Sequence, residues 1–332
     1  MKTLVNKYLG YNEKPPDIIY HYCSTEAFLS IIENNCIWLS DISKTNDSTE
    51  MQWLFSNVKS AVSNTLSQLE DKVSLAVRLQ VELLINQLIN GYLISKSIPI
   101  TESEKNFLTC FSEESNLLSQ WRAYGNDGKG VSIGFSSNYF MRFENHESYE
   151  FVKVTYKQKD IKSFLKSTIE IPLKELLLSN ESHRDDVTLN LNIALLLHSI
   201  YQEGFVFKNP HFSEEKEWRL FRRVNHTNFS TSDGIDEYGF SSSLEGIFLD
   251  NTKYVGGFTR NKLRFRSTDT DLRLYMELGF EEFKKHIIKS IILGPKCGIS
   301  QLDLELLLIE NGYMDDLGDE SIKIIKSEIP YI

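Results

Sequence analysis

The sequence predicts an α+β fold, and three observations carry that prediction. Segments with strand character open and close the chain, two long stretches of helical periodicity interrupt them, and no regular strand–helix alternation runs throughout. A doubly wound parallel sheet would need such alternation. The two helical stretches, at about 50–96 and 160–205, therefore read as insertions into one sheet-based domain spanning residues 1–332.

Pro15-Pro16 ends a polar leader, and residues 17–23 have the aromatic and β-branched content of a strand. Ser24 is a good N-cap for a helix with Ala27, Phe28, Ile31 and Ile32 on one face, which stops at Asn34-Asn35. A short strand over 36–40 runs into a polar loop. Residues 50–96 keep apolar spacing near 3.6, with no proline and no glycine before Gly91, and predict a helical hairpin. Residues 107–112 predict a strand, 114–123 a short helix, 125–128 a turn and 130–135 a buried strand. Residues 151–156 alternate as a strand does, and 160–203 return to helical spacing with a break near 179–184. Strands follow at 217–222, 263–267, 272–277 and 287–293, then a helix at 300–311 and a last strand at 321–327.

Charge and cysteine content exclude some functions. With 36 basic and 46 acidic residues the chain carries about −10, which argues against a general nucleic-acid coat protein. It leaves room for a local basic groove. Lys216, Arg219, Arg222 and Arg223 lie close in sequence, as do Arg260, Lys262, Arg264 and Arg266, although solvated strand faces would look the same. Cys23, Cys36, Cys110 and Cys297 lack the close pairing of zinc or redox motifs, so reduced thiols and no metal are expected. The first residues do not read as a secretory signal and no apolar run reaches membrane-spanning length. The expectation is a cytoplasmic protein that does not contact a membrane.

Three constellations could carry chemistry. In Tyr20-His21-Tyr22-Cys23-Ser24 a strand feeds directly into a helix. His21 could bond a ligand hydroxyl, with the helix amides after Ser24 favouring an anion, or could be a core histidine satisfied by a backbone carbonyl. The segment 117–125 concentrates Ser119, Gln120, Trp121, Arg122 and Tyr124. Arg122 could fork onto a phosphate and Trp121 or Tyr124 could stack on a flat ring, or Trp and Arg could form a structural clasp. At 214–220 three carboxylates precede a strand. Glu217, facing opposite Trp218, could orient a sugar hydroxyl and stabilise positive charge on a ribose carbon, whereas Glu214 and Glu215 suit a solvated turn better. Trp38, Ser40, Asn46 and Asp47 are weaker candidates. A Cys–His hydrolase has no support beyond the presence of both residue types.

Taken together, these segments resemble a large bacterial family known only as a domain of unknown function. The resemblance rests on Tyr-His-Tyr at 20–22, Trp-Leu-Ser-Asp at 38–41, Cys-Phe-Ser at 110–112, Ser-Gln-Trp-Arg-x-Tyr-Gly at 119–125, Glu-x-Glu-Trp-Arg at 215–219 and Ser-x-Ile-Pro-Tyr at 327–331. More distantly, a strand with His, a helix of the type Glu-Ala-Phe-Leu-Ser-Ile-Ile-Glu and a late strand opening with Glu resemble the ADP-ribosyltransferase fold, a split β-sheet core. That resemblance implies NAD as substrate, without a metal. It implies His21 at a ribose hydroxyl, Tyr22, Trp121 or Tyr124 near nicotinamide, and Glu217 orienting the nicotinamide ribose as the catalytic carboxylate. Ser24 and Arg122 complete the expected NAD-binding set. The sequence departs from the polymerase branch in having Tyr22 after His21 rather than glycine.

The implied activity is an NAD-dependent ADP-ribosyltransferase modifying a nucleic acid or protein acceptor. A toxin or antiphage effector with an antitoxin partner is the biological context this suggests. The competing reading is a non-enzymatic sensor module that binds a nucleotide or protein segment, motivated by the acidic composition and the two helical insertions.

Overall fold

A computed structural model describes residues 13–42, 48–95, 104–142, 149–179, 186–225, 263–267, 271–315 and 322–331. It is a mixed α+β structure, with a ten-stranded mixed sheet and ten α-helices among those residues. The chain divides into two compact units. One contains the described residues within 13–42, 105–153 and 214–331, and the other those within 48–104 and 154–213.

The first unit holds the sheet. Strand β1 (Ile18–Cys23) leads into α1 (Thr25–Asn34), whose N-cap Ser24 accepts a bond from the amide of Ala27 at 3.2 Å. Asn35 closes that helix in the left-handed region at φ 49°, a conformation Asn tolerates at little cost. β2 (Cys36–Asp41), β3 (Glu104–Ser112), α4 (Leu118–Ala123), β4 (Val131–Ser136), α5 (Ser137–Met141) and β5 (Tyr149–Lys153) follow, α2 and α3 belonging to the other unit. After the second helical stretch come β6 (Glu217–Asn225), β7 (Leu263–Ser267), β8 (Leu272–Gly279), α9 (Lys284–Ile287), β9 (Ile288–Leu293), α10 (Gln301–Glu310) and β10 (Lys323–Lys326).

The strand order is β10-β9-β4-β1-β3-β2-β8-β7, with β6 pairing both β3 and β5. β9 and β10 run parallel, while β4 pairs antiparallel with β1 on one side and β9 on the other. β4 is buried along nearly its whole length because it is central and packed on both faces. The core on one face is aromatic: Phe111 lies 4.5 Å from Phe140 between ring centroids, and Phe151 stacks on Trp218 at 5.2 Å.

The second unit is helical. α2 (Ser48–Gln68) and α3 (Leu75–Ser95) form the hairpin expected near 50–96. The later stretch comprises α6 (Gln158–Leu165), a π turn (Lys166–Glu170), α7 (Ile171–Leu178) and α8 (Asp186–Glu203). The π turn precedes Pro172, which has no amide to continue the ladder, and the amide of Ile171 reaches back to the carbonyl of Lys166 instead. The two insertions pack into one unit, with α3 against α8 and the π turn against α2. Sequence periodicity located both insertions but did not show that they share a core.

Gly130 shows how tightly the loop after α4 is fitted. A Cβ there would lie 2.1 Å from the carbonyl oxygen of Cys23 and 2.9 Å from that of Gly125, both backbone atoms that cannot swing away. Gly91, by contrast, sits in α3 with nothing within 4 Å of an added Cβ. Gly130→Ala is expected to destabilise the protein by about 3 kcal/mol. Gly91→Ala should stabilise it by about 0.5–1 kcal/mol through helix propensity. Urea unfolding of the two variants checks both signs.

Candidate functional site

The site begins with a gap in the sheet. β1 pairs with β4 over all six of its residues but shares one registered pair with β3, Tyr20 opposite Ser112. Extending that antiparallel register would bring Tyr22 opposite Cys110. There the His21 ring intervenes, with Nδ1 2.9 Å from the carbonyl oxygen of Cys110. A carbonyl can only accept, so Nδ1 carries the proton and donates it. Burial pushes the pKa of His21 below its usual value and outweighs the opposing effect of the Cys110 hydrogen bond. The neutral ring therefore keeps a lone pair on Nε2, an acceptor for a hydroxyl or N–H.

His21 lies on the wall of a cleft enclosing about 370 Å³ of empty space, open mouth included. β1 contributes Tyr20, His21 and Tyr22, and β3 contributes Cys110 and Phe111. Gln120 comes from α4, Tyr124 from its C-cap, and Glu215 and Glu217 from the approach to β6.

Each wall is fixed by identifiable bonds. The hydroxyl of Tyr22 donates to the carbonyl of Glu114 at 2.7 Å and accepts from the amide of Leu117 at 2.9 Å, fastening the loop before α4. Its ring packs edge-on to Trp121 at 4.8 Å. Trp121 is fully buried and its Nε1 donates to Asn116 Oδ1, which also accepts from Ser327 Oγ. Trp121 thus anchors a helix too short to hold itself. With that face buried, Gln120 and Tyr124, four residues apart, both reach the cleft. Ser112 Oγ donates to the carbonyl of Glu215 at 2.7 Å and accepts from the amide of Glu114 at 3.0 Å. Lys216 adopts φ 43°, a left-handed kink between Glu215 and Glu217.

Glu217 is buried and carries a bidentate partner. Arg219 Nε donates to Oε1 at 2.8 Å and Nη2 to Oε2 at 3.1 Å. Strand alternation puts both on one face of β6 and sends Trp218 into the aromatic core, where its Nε1 meets Glu113. The fork fixes the carboxylate plane.

Of the residues singled out from sequence, the cleft brings together His21, Tyr22, Tyr124 and Glu217. It does not bring Ser24, Trp121 or Arg122 to its walls. Ser24 caps α1 and borders a separate groove beside α10, Trp121 lies wholly in the packing behind Tyr22, and Arg122 is exposed. Trp38 and Ser40 lie on β2, away from the lining, while Asn46, Asp47, Arg260 and Lys262 fall outside the described residues. Sequence reasoning missed Tyr20, Gln120 and Glu215 as lining residues. The four-residue spacing of Gln120 and Tyr124 was the signal available for the second. Burial pushes the Cys23 thiol up to about 12, which removes it as a nucleophile, and no disulfide involves any of the four cysteines. Among the described residues no cluster of three metal-ligating side chains occurs, and no helix is long and apolar enough to cross a membrane.

The lowered pKa of His21 has a definite pH signature. Above pH 6.5 the ring is neutral in both folded and unfolded chains and adds no pH dependence. Below 6.5 the unfolded chain takes up a proton that the folded ring refuses, so stability falls as the pH drops towards the folded value. His21→Asn keeps an amide donor for Cys110 but cannot titrate. Between pH 6.5 and 5, its stability should fall less steeply than that of the wild type, by up to about 1.4 kcal/mol per pH unit. Chemical denaturation at several pH values measures the difference.

A family profile described as Protein of unknown function (DUF2971) matches residues 120–220, a span running from Gln120 through β6 and including Tyr124 and Glu217. No curated protein matches the chain, nor does any solved structure.

Proposed function

We propose that this cleft cleaves the nicotinamide–ribose bond of NAD and passes ADP-ribose to a macromolecular acceptor, nucleic acid or protein. A toxin or antiphage effector would use such chemistry. The observation that carries the reading is that His21 and Glu217, from the first and sixth strands, line one cleft.

The residues suit the demands of that bond cleavage. As the glycosidic C–N bond breaks, its electron pair leaves with nicotinamide and positive charge builds on the ribose carbon. Glu217 supplies a negative charge whose orientation Arg219 fixes, and its carboxylate accepts a ribose hydroxyl. His21, tethered through Nδ1, offers Nε2 to a second hydroxyl. Tyr124, 43% exposed at the wall, stacks its ring beside the nicotinamide. The acceptor atom releases its proton to water as it bonds to the ribose carbon, while nicotinamide leaves neutral. The cavity volume suits the nicotinamide–ribose end, with the adenosine half lying outside the mouth.

One observation favours the alternative, a binding module without turnover: both oxygens of Glu217 are already engaged by Arg219, which reduces the field available to a developing cation. Purified protein incubated with NAD and candidate acceptors decides between them. Chromatography should detect nicotinamide release, with Glu217→Gln slower by about a hundredfold or more. If NAD binds by calorimetry, nothing is released and Glu217→Gln binds equally well, the sensor reading holds. Absence of both binding and release removes the NAD proposal altogether.

A further inference from the structure

Bond cleavage by His21 and Glu217 leaves one polar group on the cleft wall without a task. Gln120 is only 7% exposed and lines the cleft. Its main-chain carbonyl accepts from the amides of Tyr124 and Gly125. Its side-chain amide meets no hydrogen-bonding group among the described residues. Other polar groups on the same wall are engaged: His21 Nδ1 with Cys110, the Tyr22 hydroxyl with Glu114 and Leu117, and Glu217 with Arg219. Burying an amide without partners is costly, and the helix does not require it. Met or Leu would hold the same turn and line the same wall without that cost. A local rule broken at the wall of a cleft marks a contact made by a ligand.

The amide also specifies what completes it. Oε1 accepts and Nε2 donates, side by side in one plane. A second primary carboxamide, turned head to tail, satisfies both at once. Its NH2 donates to Oε1 and its carbonyl accepts from Nε2. A hydroxyl meets one of these atoms at a time. A carboxylate accepts from Nε2 but turns its other oxygen on Oε1, and it brings negative charge to a cleft lined by Glu215 and Glu217. The walls suit a flat carrier, since Tyr20, His21, Phe111 and Tyr124 all contribute rings. The Tyr124 amide bonds the Gln120 carbonyl at 2.9 Å, so the two side chains stand one helical turn apart. Their Cβ atoms are then roughly 5–6 Å from each other, and a ring beside Tyr124 can point a substituent at Gln120.

We propose that Gln120 reads the carboxamide of the nicotinamide ring, and thereby selects NAD over the analogue in which that amide is a carboxylic acid. The identity of the ring rests on the transferase reading; the contact adds the group by which the ring is recognised. Adenine also carries an acceptor and a donor side by side and is the rival ligand. It would place the dinucleotide the other way round, with the bond to be cleaved away from His21 and Glu217.

Calorimetry on the full chain with nicotinamide, nicotinic acid, benzamide, benzoate and adenosine tests the contact without breaking a bond. Wild type should bind each amide roughly tenfold or more tighter than its acid, and tighter than adenosine. Gln120→Met keeps the length and helix propensity of the side chain and removes both hydrogen-bonding atoms. It should weaken nicotinamide roughly tenfold and bring the amide-to-acid ratio to within about threefold. A purely structural role for Gln120 would leave that ratio unchanged. If Gln120→Met does not fold, Gln120→Glu serves: it sets an oxygen against the ligand carbonyl, so it should weaken nicotinamide roughly tenfold or more and nicotinic acid further. Release of nicotinamide from NAD should likewise exceed release of nicotinic acid from the acid analogue. If the amides are preferred but NAD is not cleaved, the contact stands and the transferase reading fails. If NAD and its acid analogue are cleaved equally fast, the transferase reading stands and the contact fails. Failure of both amides to bind, equal affinity for amides and acids, a preference for adenosine, or a Gln120→Met protein with the wild-type ratio would also overturn the proposal.

Discussion

The opening between β1 and β3, bridged by an imidazole instead of a main-chain bond, is the constraint on which the cleft depends. A sheet that paired through this point would bury the edges of both strands in its own ladder and leave no cavity. The His21 ring satisfies the Cys110 carbonyl that would otherwise face the gap, so the opening does not strand that acceptor in a partly buried setting. Holding the gap open also fixes the proton on Nδ1, so one bond sets the shape of the site and the polarity of the atom facing it.

The far wall is secured by a different device. A six-residue helix has almost no stability of its own, and α4 keeps its place because Trp121 is fully buried and tied through Asn116 to Ser327. The C-terminal segment reinforces this from outside. Ile329 packs against the Tyr22–Trp121–Ile292 cluster, and Tyr331 bonds Asp127 in the loop after α4. The motifs at 119–125 and 327–331, two hundred residues apart, thus serve one piece of architecture. The cleft-facing side chains Gln120 and Tyr124 are carried by that support.

How legible all this was in the sequence depended on periodicity. His21 and Glu217 sit where strand alternation gives each side chain a face, but alternation does not say which strands meet, and only the resemblance led to the expectation that the two share a site. The α+β class and both helical stretches were visible from periodicity itself. α4 was harder, because in a single short turn Ser119, Gln120, Trp121, Arg122 and Tyr124 point in nearly every direction, and only tertiary packing selects the face that is buried. The shared core of the two insertions was invisible to local pattern, since α3 ends at Ser95 and α8, which packs on it, begins only at Asp186. The two roles offered for His21, core histidine bonded to a carbonyl or ligand acceptor, turn out to be compatible, one nitrogen serving each.

Two arrangements of arginine on the same sheet show what composition conceals. Arg219 is buried, and its Nε and Nη2 hold the two oxygens of Glu217 in a bidentate pair that orients the carboxylate. Arg266 is half-buried, faces another arginine and keeps a buried donor that no described side chain meets. Neither position shows its character in composition, where both count as one positive charge in an acidic chain. Register separates them, because in a sheet the residue opposite is fixed by pairing and cannot be chosen by rotating a side chain.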